Sequence, residues 1–357
     1  MKIVSVVGAR PQFIKLAPVS RAIRAAGHHE IIVHTGQHYD ERMSGAFFVE
    51  LDIPQPDHNL GIGSGRHGEQ TGHMLAAIED ALLRERPDGL VVFGDTNSTL
   101  AAALAAVKLH IPVGHVEAGL RSFDRKMPEE INRVVTDHVA SQLYCPTQAA
   151  VDHLKDEGVT SGVHLTGDVM FDMLLSMRPR LEQRERDLLR QFGVTAGAFT
   201  LATVHRAAST DDPEALSRIM DGLQRLESAV VFPIHPRTRK LIDQYGLHVG
   251  GQIQVVEPLG YLDMLTLTAS AFRVVTDSGG VQKEAFLLGT PCVTLRDSTE
   301  WPETINAGWN TLVAFDPDAM LAAWRAEPPD RPIVNPYGEG DAAQRIAALL
   351  SAWPATR

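Results

Sequence analysis

Short runs of β-branched and apolar residues alternate with longer segments whose apolar positions recur every three to four residues, almost from end to end. The short runs predict strands at Ile3–Val7, Ile31–His34, Leu90–Phe93, Val113–Val116, Leu143–Cys145 and Val163–Leu165. After a charged stretch the pattern resumes with Thr200–Thr203, Val230–Ile234, Ile253–Val256, Val274–Thr276 and Cys292–Leu295. Helices are predicted at Pro11–Ala26, from His67 onward, and at Ser98–Lys108, Pro128–Ser141, Ala149–Glu157, Pro213–Glu227, Val281–Leu288 and Asp341–Trp353. In the segment that starts near His67, Met74, Leu75, Ile78, Leu82 and Leu83 share one face.

Strands that read as continuous apolar runs between helices belong to parallel sheets covered on both faces. The alternation occurs twice, which predicts an α/β chain of two doubly wound, Rossmann-like domains. Their boundary is expected near the charged segment Arg178–Arg190, where Leu181, Leu188 and Leu189 at helical spacing favour a solvated helix over a disordered linker. We therefore divide the chain into residues 1–170 and 171–340, followed by a last helical segment.

With 357 residues, 44% of them hydrophobic, the chain can bury two cores. Lys and Arg number 33 against 44 Asp and Glu, a net charge of −11. That balance argues against nucleic acid or an anionic membrane as partner, while leaving room for a small anionic substrate held by a few cations. No apolar run approaches the roughly 20 residues that span a bilayer. The Met1–Val7 stretch has no signal-peptide pattern, so a cytoplasmic location is expected. Cys145 and Cys292 each sit in a strand-like run and read as buried thiols, with a disulfide as the alternative.

Ligands of open parallel sheets bind at the carboxyl ends of strands, so the polar residues there are the candidates for chemistry. Gly8-Ala9-Arg10-Pro11 follows the first strand and leads into a helix carrying Lys15; it is neither a dinucleotide fingerprint nor a phosphate loop. Two cations at a helix start suit an anion, or are simply surface charges beside a glycine turn. Asp95 after the third long strand would cap a helix, Glu117 ends the fourth, and Glu129 opens a helix behind Pro128. Together the three carboxylates fall on one strand-end edge, and converging carboxylates are what proton transfer requires. In the second half His205-Arg206 and His235 follow strands. Asp277-Ser278-Gly279-Gly280 feeds a helix carrying Glu284, a turn whose free N–H groups suit phosphate. The 15 histidines show no metal-ligand spacing, and no motif calls for a cofactor.

Six ordered blocks complete the picture: Gly8–Lys15, Gly94-Asp95-Thr96, His115–Arg121, Pro128–Arg133, Thr276–Gly280 and Asn335–Gly338. Over essentially the whole chain they resemble the non-hydrolysing UDP-N-acetylglucosamine 2-epimerases. The resemblance implies a glycosyltransferase-B-like fold whose two domains face a UDP-sugar cleft, a C-terminal helix (341–357) packing back on the first domain, a homodimer, and no cofactor. It implies C2 inversion by anti elimination of UDP to a 2-acetamidoglucal and re-addition. Asp95, Glu117, Glu129 and His205 would be catalytic. Arg10, Lys15, Arg206, Tyr261, Ser278, Gly279, Gly280 and Glu284 would hold the UDP-sugar, and Gln37, His38 and His235 match a regulatory UDP-sugar site.

Three departures stand out: Ala208 where the family usually has glutamate, Trp301 where common members carry arginine, and a short, basic loop Ser122–Met127. With Thr35–Asp40 and Ser64–Gly68 they resemble the branch acting on UDP-2,3-diacetamido-2,3-dideoxy-glucuronate, whose C6 carboxylate a basic loop would bind. UDP-N-acetylglucosamine is the alternative substrate. A glycosyltransferase of the same fold, a UDP-sugar hydrolase and a non-catalytic UDP-sugar sensor are the competing readings.

Overall fold

The computed structural model describes residues 1–37, 41–330 and 335–353, with 41–44 and 46 by backbone alone. Two compact units emerge, Met1–Ser176 with Pro336–Arg357, and Met177–Asn335. The chain passes from one to the other within a helix and returns ahead of the last one.

The first unit contains β1 (Lys2–Val7), α1 (Arg10–Ala25), β2 (His29–His34), α2 (Glu41–Glu50), β3 (His58–Asn59), α3 (His67–Glu85), β4 (Gly89–Phe93) and α4 (Asn97–Lys108). It continues with β5 (Val113–Val116), α5 (Pro128–Val139), β6 (Gln142–Cys145), α6 (Gln148–Asp156), β7 (Val163–Leu165) and the first turns of α7 (Val169–Phe192). Its sheet has the parallel order β3-β2-β1-β4-β5-β6-β7. One face is closed by Met74, Ile78 and Leu82 of α3 and the alanines of α4, packed on Val4, Val6, Val33, Leu90, Val92 and Val113. Leu83, placed on the same stripe by spacing, is 53% exposed.

The second unit begins in α7 and holds β8 (Phe199–Thr203), α8 (Ala207–Thr210), α9 (Pro213–Gln224), β9 (Ala229–Pro233), α10 (Pro236–Tyr245), β10 (Ile253–Val256) and α11 (Tyr261–Ser270). It closes with β11 (Arg273–Thr276), α12 (Gly279–Leu288), β12 (Cys292–Thr294), α13 (Pro302–Asn306), β13 (Asn310–Leu312) and α14 (Pro317–Arg325). Its strands are parallel in the order β10-β9-β8-β11-β12-β13. Leu216, Ile219 and Leu223 of α9 pack on one face with Met320 and Trp324, and Leu188, Phe192 and Leu267 cover the other. Arg178–Arg190 lies inside α7, whose 24 residues extend well beyond the charged stretch.

The last helix, α15 (Ala342–Ser351), belongs to the first unit and packs near α1. Asp172 of α7 accepts its first N–H groups, from Ala342 at 3.2 Å and Ala343 at 2.7 Å. Beyond it Trp353 lies over Gly89, where any Cβ would fall 2.1 Å from the indole. Both cysteines are free and buried, one in each unit.

Candidate functional site

Each sheet reverses its strand order at one place, between β1 and β4 and between β8 and β11. At such switch points the loops after neighbouring strands diverge and leave a crevice. Of the polar residues singled out from the sequence, Arg10 and Asp95 follow β1 and β4, and His205, Arg206 and Ser278 follow β8 and β11.

In the first unit the turn after β1 is fixed by Gln12, whose Oε1 accepts from the Gly8 and Ala9 N–H groups at 2.8 and 3.0 Å. Its Nε2 donates to the Phe93 carbonyl at 2.9 Å, tying the turn to the end of β4. Arg10 sits over the Phe47 ring at 5.3 Å. Lys15, one turn into α1, places Nζ 2.5 Å from Glu117 Oε2, and both side chains are buried. Glu117 follows β5 at φ 71°, an uncommon conformation for a residue with a side chain. Gly94, at φ 61°, lies beside the pair, so that a Cβ there would stand 3.2 Å from Lys15 Nζ and 3.4 Å from Glu117 Oε2.

Asp95 is the next residue, partly exposed and ion-paired with Arg133, while Asn132 Nδ2 donates to its carbonyl at 2.9 Å. Arg133 also bonds Glu130 at 2.9 Å. Glu129 and Glu130 therefore divide the first turn of α5. Glu129 is exposed, and Glu130 is buried beneath the basic loop, accepting from Ser122 N and Oγ at 2.9 Å and from Phe123 N at 3.1 Å. Burial pushes the Glu130 carboxyl up, but these donors and Arg133 outweigh it and hold it below its ordinary value. Arg125 and Lys126 project into solvent.

Behind β4 and β5 a network appears to which the sequence reading gave no role. His115 is wholly buried, with Nδ1 2.7 Å from Asp137 Oδ1 and Nε2 2.7 Å from the Gly94 carbonyl. Asp137 Oδ2 accepts from Arg121 Nη1 at 2.7 Å and Gly119 N at 3.1 Å, and Arg121 makes a two-pronged pair with Glu157. Burial pushes Asp137 up, yet His115 and Arg121 hold it below its ordinary value. The signal available in the sequence was a histidine midway along an otherwise apolar strand.

Gln37 accepts from Ser98 Oγ at 2.7 Å, close to the start of α4. His38 lies outside the described residues.

In the second unit Asp277, fully buried after β11, accepts from both His205 N at 2.9 Å and Arg206 N at 2.8 Å. Its Oδ1 lies 3.4 Å from His205 Nδ1. Ser278 caps α12, and Gly279 and Gly280 form its first turn. Around Gly279, a Cβ would come within 3.4 Å of Glu300 Oε2 and 3.7 Å of both Arg206 Nη2 and Trp301 Nε1. Glu300 is bonded twice by Arg296 at 2.9 Å, and the Trp301 ring lies 4.0 Å from the buried Lys283 ammonium. Burial raises Glu284 to about 7, opposed in part by Tyr261 and Lys283. His235 caps α10, and its ring stands 5.8 Å from that of His205. Ala208 lies in the short α8.

Each unit thus offers a distinct chemistry. The first holds carboxylates at the ends of adjacent strands, one of them against a buried ammonium. The second holds a helix start beside the Arg206 and Trp301 donors, with the Arg296-bound Glu300 carboxylate next to them, and its free N–H groups suit an anion. Among the described residues no three or more His, Cys, Asp or Glu side chains gather as metal ligands would, and no helix is long and apolar enough to cross a membrane.

Residues 21–351 match the sequence profile of the UDP-N-acetylglucosamine 2-epimerase family. The chain is 50% identical, over 98% of its length and 99% of the relative's, to a UDP-N-acetylglucosamine 2-epimerase homolog of Methanococcus maripaludis. It is 48% identical, over 98% and 99%, to the UDP-2,3-diacetamido-2,3-dideoxy-D-glucuronate 2-epimerase of Pseudomonas aeruginosa. Among solved structures, the UDP-GlcNAc 2-epimerase of Methanocaldococcus jannaschii in complex with UDP-GlcNAc and UDP is similar at a TM-score of 0.91. It shares 44% identity over 98% of this chain and 99% of that one.

Proposed function

The chain belongs to the UDP-N-acetylglucosamine 2-epimerase family, the carbohydrate isomerases that act on UDP-sugars, and we propose that it inverts C2 of UDP-2,3-diacetamido-2,3-dideoxy-glucuronate by elimination and re-addition of UDP. The observation that carries this reading is the placement of Glu117 and Asp95 just after the paired strands β5 and β4, Glu117 against the Lys15 ammonium and Asp95 against Arg133.

The C2–H of a pyranose is too weak an acid to be removed directly. As the C1–O bond breaks, its electron pair leaves with the UDP diphosphate, C1 becomes electron-poor and C2–H acidifies. A carboxylate then takes the C2 proton, leaving a 2-acetamidoglucal and UDP. A second carboxyl group, in its acid form, gives its proton to the opposite face of C2 and is left as a carboxylate, and the diphosphate oxygen re-forms its bond to C1. Asp95, Glu117 and Glu129 are the set assigned to these transfers. Holding the departing diphosphate is the other requirement. The α12 start at Ser278-Gly279-Gly280, with Arg206 and His205, suits that task, while Glu284 with Tyr261 suits the ribose hydroxyls.

The diacetamido-uronate is preferred to UDP-N-acetylglucosamine for two reasons. The Pseudomonas aeruginosa relative carries that name, and Arg125 and Lys126 leave two cations exposed for a C6 carboxylate. The test is incubation in D2O with each UDP-sugar, following C2 by proton NMR. Deuterium at C2 of the uronate with a new manno signal is expected. Exchange with UDP-N-acetylglucosamine alone would reassign the substrate, and UDP release without exchange from either would replace epimerisation by hydrolysis or transfer. Glu117→Gln should keep UDP binding and lose turnover by about 1,000-fold.

A further inference from the structure

The His115 network reaches the strand-end carboxylates through Gly94. A carbonyl oxygen can only accept, so the contact between His115 Nε2 and Gly94 O puts a proton on Nε2. Asp137, ion-paired with the Arg121 guanidinium and accepting from Gly119 N, is a carboxylate that only accepts, so Nδ1 carries a proton as well. His115 is then an imidazolium inside the fold. Its charge is balanced, since His115 and Arg121 face Asp137 and Glu157, two cations against two anions. A buried charge without such partners would be untenable.

What this cation grips is the hinge point of the site. Gly94 N donates to Val116 O at 3.0 Å, so its N–H side is anchored to β5 while its carbonyl is anchored to His115. The residue so fixed stands beside Lys15 and Glu117 on one side and is joined to Asp95 on the other. The left-handed φ of Gly94 turns the chain out of β4 at this point and sets the direction in which Asp95 leaves it.

We propose that His115 is a positioning residue for proton transfer, held as a buried imidazolium by Asp137 so that its Nε2–H fixes the Gly94 carbonyl and thereby the spacing of Asp95 from Glu117. The proposal rests on the epimerase reading above. It separates the two ring contacts: Asp137 supplies the charge and His115 the grip. In Asp137→Asn the side-chain carbonyl can still accept from Arg121 and Gly119, while its amide donates to Nδ1. His115 then becomes the neutral Nε2–H tautomer and keeps Gly94.

Three measurements test this. Nitrogen NMR of histidine-labelled wild-type protein at the assay pH should show both His115 ring nitrogens protonated, and Asp137→Asn should convert them to the neutral Nε2–H form. His115→Phe should lower kcat for C2 exchange by about 100-fold while the UDP Kd stays within about 3-fold, a split that general destabilisation would not produce. Asp137→Asn should retain more of kcat than His115→Phe. A neutral His115 in the wild-type spectrum overturns the proposal without any variant having to fold, and so does a His115→Phe enzyme with wild-type kcat. Absence of C2 exchange in the wild-type enzyme overturns the epimerase reading, and the positioning role with it.

Discussion

The Lys15 ammonium lies 2.5 Å from Glu117 Oε2, and each side chain is 8% exposed. An ion pair at that depth is neither a surface decoration nor a simple source of stability. Taking both charges out of water costs nearly what their attraction returns, whereas removing one leaves the other stranded. The pair therefore keeps a carboxylate charged in a place where water is scarce, which is what a base at a strand end needs.

Lys15→Met and Glu117→Gln should each destabilise the fold by about 3 kcal/mol, and the double variant by much less than the sum. Urea unfolding of the four proteins closes this cycle. Additive losses would mean that the two groups do not depend on each other.

Glu284 carries a pH signature of its own. Its carboxyl moves from 4.5 to about 7 on folding because burial disfavours the charge, with Tyr261 and Lys283 only partly offsetting that. The unfolded chain releases this proton near 4.5 and the folded one near 7. Between those values the folded state binds more protons, so rising pH destabilises it. Below the window the group contributes nothing, and above it the loss is complete at roughly 3 kcal/mol. Glu284→Gln lacks the titration. The stability of wild type relative to this variant should fall across that window and then level off, as read by urea unfolding from acidic to mildly alkaline pH. A constant difference across the window would remove the titration from Glu284.

How much of this could be read from the chain depends on what kind of pattern a feature leaves. Eleven strands were visible as short β-branched and apolar runs, unbroken where a strand is buried on both faces; β5, β7 and β10 have the same ends in the structure, although β7 and β10 are edge strands and partly exposed. The edge strand β3 is only His58–Asn59, and β13 is Asn310–Leu312, too short and too polar to stand out. In α10, only Thr238 and Ile242 are buried among charged neighbours, so no apolar stripe announces it. In α11, by contrast, Leu265, Thr266, Leu267 and Thr268 are all buried, a run that periodicity does not distinguish from a strand. Pairings leave no local trace at all. Nothing in Pro128-Glu129-Glu130 says which glutamate turns inward; that follows from the Ser122–Phe123 turn whose N–H groups Glu130 collects.

Gly8 illustrates a requirement that is local in cause and distant in effect. A Cβ at this position would lie 2.2 Å from both Ser98 Oγ and Thr35 Oγ1, which are hydrogen-bonded to each other at 2.8 Å. The turn after β1, the end of β2 and the start of α4 are thus packed around a missing methyl group. Gly8→Ala should cost about 2 kcal/mol through overpacking, seen as a lower urea midpoint at an unchanged slope. Unchanged stability would show that the turn relaxes freely, and the close packing would then have no energetic weight.

The Ser122–Met127 loop is where substrate choice can be separated from chemistry. Its base is fixed by Glu130, buried and bonded to Ser122 and Phe123, so the loop is anchored without using Arg125 or Lys126. Both cations are exposed and are therefore available to a ligand rather than committed to the fold. A C6 carboxylate would engage them; the hydroxymethyl group of UDP-N-acetylglucosamine would not. Arg125→Ala/Lys126→Ala should lower kcat/KM for the diacetamido-uronate by about 10-fold and leave that for UDP-N-acetylglucosamine within a factor of about 2. The thermal midpoint should not move, because surface charges away from packed features contribute little to stability. Equal losses on both substrates would mean that the loop grips the common UDP moiety. No loss on either would remove the basic loop as the ground for choosing the uronate.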